Sequence, residues 1–161
     1  MKHDRKTALV AIVAAGLIAL GAVSAVAQDK PADNMQIVRE KVRADKKLFV
    51  AANMELTETE AKAFWPLYEE YQNELFLLRS RTAKLIKDYS MAFKDMSDEK
   101  AKRLLDENIA IESLGVKLRK AYLPKFRQIL PEKKAARYYQ IENKVQAALY
   151  YELAREIPLV Q

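Results

Sequence analysis

The 161-residue chain has no cysteine, one histidine, three glycines and one tryptophan. Where these scarce residues lie excludes more than their number does. His3, Gly16 and Gly21 all fall in the first 27 residues, a segment that reads as a removable export signal. Residues 28–161 then carry no cysteine, no histidine and a single glycine, Gly115. This excludes disulfide staples, cysteine nucleophiles, zinc sites built from Cys or His, and histidine-dependent triads. It also excludes P-loops and dinucleotide fingerprints, because neither can be written with one glycine.

The export reading rests on three features in order. Lys2, Arg5 and Lys6 give a basic start, Thr7 to Val23 is an uncharged apolar run, and Ala25-Val26-Ala27 is an A-x-A cleavage pattern before Gln28. The apolar run lies at the short end for a membrane-spanning helix, so cleavage after Ala27 is expected rather than a retained anchor. No cysteine follows the run to take a lipid. The expected address is the periplasm. An exported chain without cysteine must be held together by packing alone. Without the signal, the balance is 25 Lys and Arg against 21 Asp and Glu, a net +4, too small by itself to argue for nucleic acid.

Residues 28–161 are expected to form one all-α domain of about four helices, opening with a polar leader at 28–33. No stretch alternates like a strand or carries a hairpin turn signal. A first helix is predicted over about 33–53, with Met35, Val38, Val42, Phe49 and Ala52 on one face. The second starts at a Thr57 cap, where Glu60 completes a capping box. Along it, positions 64, 68, 71, 75, 78, 82, 85 and 89 read Phe, Tyr, Tyr, Leu, Leu, Thr, Leu, Tyr, the repeat of a helix seam. Pro66 is expected to kink it. The third helix begins after Ser97, with a broad stripe of Leu104, Leu105, Ile109, Ile111, Leu118, Tyr122, Leu123 and Phe126, bent at Pro124. The fourth opens with Pro131, carries Tyr138, Ile141, Val145 and Leu149, and ends near 156 before Pro158. Helices of this length suit an elongated antiparallel hairpin better than a compact ball.

The helix starts repeat. Leu56-Thr57-Glu58-Thr59-Glu60 recurs as Met96-Ser97-Asp98-Glu99-Lys100 and, more weakly, as Leu130-Pro131-Glu132-Lys133-Lys134. Each copy has an apolar residue, a cap or proline, and an acid at the positive end of the helix dipole. An exported all-helical chain with such helix starts resembles the Spy/CpxP group, periplasmic proteins defined by LTxxQ motifs. Leu56, Thr57 and Glu60 match the first motif with Glu in place of Gln. Leu130, Pro131 and Lys134 fall on the second, with Pro for Thr and Lys for Gln. The resemblance implies a long, bent helical hairpin that dimerises into a thin cradle. It also implies ATP-independent chaperone activity toward unfolded or stress-damaged envelope proteins, or restraint of an envelope-stress sensor kinase. Relatives that bind metals do so through histidines, which residues 28–161 lack, so no metal or other cofactor is expected.

Two features are candidates for binding. Between Lys117 and Arg137 stand Lys117, Arg119, Lys120, Lys125, Arg127, Lys133, Lys134 and Arg137 against only Glu132. Such a charge draws in acidic segments of unfolded proteins, or forms an ordinary solvated helix face. Among the aromatics, Tyr68, Tyr71 and Tyr138 fall on the predicted stripes. Trp65 and Tyr139 sit one residue off and are the surface candidates. The Tyr150-Tyr151 pair cannot point inward with both rings. Met54, Met91 and Met96 offer either adaptable surface or gap filling. The carboxylate pairs Glu69-Glu70, Asp106-Glu107 and Glu70/Glu74 have no nucleophile or imidazole beside them, so no catalytic residue is assigned. The expected function is that of an ATP-independent chaperone and not an enzyme, acting as a homodimer and without nucleic acid. The alternatives are a regulatory partner of a periplasmic sensor domain and a structural envelope helix pair.

Overall fold

The computed structural model describes residues 31–160, with side chains from Glu40 onward. The expected signal at 1–27, and the side chains of Met35 and Val38, lie outside the described residues. The described chain is all-α: α1 at Pro31–Met54, α2 at Glu58–Ala92, a 3₁₀ turn at Phe93–Asp95, α3 at Asp98–Ile129 and α4 at Glu132–Glu156. No described helix is long and apolar enough to cross a membrane. Two compact units emerge, one containing residues up to Glu55 with Ala136–Pro158, the other centred on Leu56–Ala135.

In the first unit, α1 buries Lys46, Val50 and Met54, three residues spaced by four on one helical face. From α4, Tyr138, Ile141, Glu142 and Val145 are buried. Lys46 donates to Glu142 at 2.7 Å, and Arg137 pairs with Glu55 at 2.9 Å. Partner numbers fall along α4 as they rise along α1, so the two helices run antiparallel. Two expectations need correction. The helix opens at Pro31, inside the expected leader, because proline suits the first helical position. Ala52 is exposed, and the buried face passes through Lys46 instead. Met54 is fully buried, the gap-filling alternative of the two the sequence offered. Glu55, just past α1, adopts a left-handed φ of 49°, which stops the helix.

The second unit is a hairpin of α2 and α3. Thr57 caps α2 as predicted: its hydroxyl accepts from the Glu60 N–H at 3.3 Å, and Glu60 accepts from the Thr57 N–H at 2.8 Å. Ser97 caps α3 through the Lys100 N–H. Pro131 caps α4 with its carbonyl, which accepts from the Lys134 and Ala135 N–H groups. Both α2 and α3 continue helical through Pro66 and Pro124, each proline withholding one N–H from the helix ladder.

The α2 seam packs as its spacing requires. Phe64 meets Phe126 at 5.8 Å between ring centres, and Tyr71 meets Tyr122 at 5.1 Å. Nearer the turn, Leu75, Leu78, Leu85 and Tyr89 are only half-buried. The α3 stripe is narrower than predicted. Ile111, Tyr122 and Phe126 are buried and Leu104 and Leu118 half-buried, whereas Leu105 and Ile109 are exposed. One facing helix covers a seam and not a broad stripe.

Candidate partner-binding surfaces

The two motif-like helix starts meet in the second unit. Leu56 is half-buried, Leu130 is buried, and the fifth positions of the two segments are bonded, Lys134 donating to Glu60. Thr57 and Lys134 thus share one carboxylate. The Lys134 ammonium, and next the Thr57 N–H, hold the Glu60 carboxyl below its ordinary value of 4.5. The two departures from Gln noted in the sequence are therefore complementary: an acid at one start and a base at the other.

About three turns further along α2, Glu70 accepts from both the Tyr122 hydroxyl and the Lys125 ammonium, each at 2.8 Å. Lys125 also lies 4.3 Å from the centre of the Tyr122 ring. These donors lower the Glu70 carboxyl, the Lys125 bond contributing most. Burial, and then the adjoining Glu70, push the Tyr122 hydroxyl up to about 12.

The predicted basic series is not one uniform field. Lys125, Arg127 and Lys134 are paired with Glu70, Glu132 and Glu60 within the second unit. Arg137 belongs to the first unit and pairs with Glu55. Arg119 is half-buried and also engaged. Lys117, Lys120 and Lys133 are exposed, and none has an ion-pair partner among the described residues.

The aromatic candidates are also redistributed. Trp65 is half-buried, edge-on to Phe64 at 5.1 Å and to Tyr68 at 5.4 Å. Tyr139 is half-buried against Tyr138 at 5.8 Å. Tyr150 and Tyr151 are the more exposed rings, in the first unit. Met91 is exposed and Met96 half-buried. A shallow cleft of about 430 Å³ near the hairpin turn is lined by Leu85, Met91, Arg103 and Leu104, among others. Among the described residues no group of three His, Cys, Asp or Glu side chains converges as a metal site would.

Sequence reasoning missed a third feature. Leu105, Ile109 and Val116 of α3 are 61%, 53% and 41% exposed, on a side of the helix away from its seam. The adjacent Leu104-Leu105 pair carried the signal, since a narrow seam admits only one of two neighbours. No family model, curated protein or solved structure matches the chain.

Proposed function

We propose that this chain is an exported, Spy/CpxP-like protein that binds unfolded or stress-damaged envelope proteins without ATP, acting in the periplasm as a homodimer. The observation that carries the reading is the junction of the two motif-like helix starts. Segments 74 residues apart are joined at their equivalent fifth positions by Lys134 and Glu60, which is hard to account for if each is merely a well-capped helix end. The open, helical character of both units supports protein binding, because exposed apolar and basic side chains hold unlike partners without demanding one geometry.

The test uses the full chain, expressed with its own N-terminal segment and purified from the compartment it reaches. Near-equimolar protein is expected to keep several unrelated unfolding proteins soluble without nucleotide. Unchanged aggregation at several-fold excess rejects the chaperone reading. A single saturable partner in crosslinking, with altered stress-reporter output on deletion, identifies a regulator instead. An intact mass beginning at Gln28 supports signal cleavage, and a retained segment rejects it.

A further inference from the structure

A mirrored pattern lies on the two helices of the second unit. α2 carries Phe64-Trp65-Pro66-Leu67-Tyr68 and α3 carries Tyr122-Leu123-Pro124-Lys125-Phe126, the same aromatic–proline–aromatic spacing in reversed order. Antiparallel packing brings the two copies together. Phe64 meets Phe126 at 5.8 Å between ring centres, so Pro66, two residues on, comes level with Pro124, two residues back. The contact of Tyr71 with Tyr122 gives the same level to within a turn. The four flanking aromatics are buried, whereas both prolines are exposed. At the helical 100° per residue each proline lies about 160° of arc from the aromatic on either side, which puts both on the outer sides of the hairpin.

A proline inside a helix leaves the carbonyl four residues back without its helical N–H, and its ring presses against that carbonyl. Here the carbonyls are those of Lys62 and Lys120, on the outer surfaces of α2 and α3. A helix opens on the side of its proline and bends away from it, by about 20° or more at a sharp kink. Pro66 therefore drives α2 to bend toward α3, and Pro124 drives α3 to bend toward α2. Helices packed along one seam bend together, so the two tendencies oppose each other at one level.

We infer that Pro66 and Pro124 are opposed wedges that cancel each other's bend and leave a compliant joint in the α2–α3 hairpin. The seam is the pivot. There the rings of Phe64, Tyr71, Tyr122 and Phe126 pack tilted or edge-on, with centres 5.1–6.4 Å apart. Bending about an axis through the seam disturbs these contacts least. The outer surfaces move most, and they are where each helix lacks a hydrogen bond. On one side of the joint lies the base, fixed by the Thr57 cap and the bond from Lys134 to Glu60. On the other lies the arm, with its half-buried seam leucines and the cleft near the hairpin turn. The joint sets the tilt of the arm against its base, whatever the arm binds.

The test is double electron–electron resonance on the full chain, whose lack of cysteine leaves introduced cysteines as the only label sites. Thr59→Cys and Lys87→Cys place spin labels on the outer side of α2, about 42 Å apart along the helix and on opposite sides of the joint. Pro66→Ala leaves Pro124 unopposed and is expected to shorten the mean distance by about 2 Å, a bend of about 10° acting across one helix diameter. Pro124→Ala leaves Pro66 unopposed and should lengthen the distance by as much. The double variant should return to the parent mean with a narrower distribution, because both missing hydrogen bonds are restored. Labels within the arm, at Leu77→Cys and Ser90→Cys, should not move in any variant. Alanine favours a helix over proline, so the variants keep their fold, which far-UV circular dichroism checks. Shifts in the same direction, no shift, a displaced double variant or an unchanged width overturns the inference. So does movement of the arm pair.

Discussion

Tyr122 and Lys46 show how single side chains hold this molecule. The Tyr122 hydroxyl stands against the Glu70 carboxylate, so ionising it places two negative charges together in a poorly solvated seam. Its folded value, about 12, lies above the ordinary 10.0. The stability tied to the neutral phenol is therefore intact below pH 10 and lost as pH rises through the native value. Thermal melts are expected to fall across that window, in step with tyrosinate absorbance, and Tyr122→Phe should flatten the part of the fall due to this group. Lys46 and Glu142, each 7% exposed, form the buried ion pair of the first unit. Lys46→Met removes one partner from a buried carboxylate and is expected to destabilise by up to about 3–5 kcal/mol in chemical denaturation. Adding Glu142→Leu removes the buried charge itself, and the double variant should lose less than the two single losses added together.

At the scale of elements, caps and seams decide where helices start and which faces they bury. Thr57→Ala removes the hydroxyl acceptor and is expected to cost about 1 kcal/mol. Lys134→Gln and Glu60→Gln each leave half of the junction behind, so the double variant should lose less in melting temperature than the two single losses added together. The lowered Glu60 carboxyl gives this junction an acid limit. Its contribution is present above the ordinary value of 4.5 and disappears as pH falls through the lowered native one. Melts of wild type and Glu60→Gln should converge on acidification. Gly115 tests the α2–α3 seam from the opposite direction. Its φ is not positive, and an added Cβ meets Leu78 Cδ2 at 3.4 Å, an ordinary contact. Gly115→Ala is therefore expected to stabilise by about 0.5–1 kcal/mol through helix propensity, measured by urea unfolding.

For the whole molecule, the net positive charge, +6 over all 161 residues and +4 over residues 28–161, bears on encounter and the apolar surface on retention. If the proposed function holds, raising salt should slow capture of an acidic client in stopped-flow mixing while changing its dissociation rate much less. The sequence by itself determined the helices, since 3.6-residue periodicity, the Thr57 and Ser97 caps and the stop before Pro158 are local properties that neighbouring residues enforce. It also determined the α2 seam, because a strict repeat leaves one face to bury. Tertiary structure alone decided which of two neighbouring leucines, Leu104 or Leu105, enters the α3 seam. It alone decided that Lys46 meets Glu142 across 96 residues and Lys134 meets Glu60 across 74. Partners so far apart are chosen by the antiparallel register of packed helices, and no local rule encodes that register.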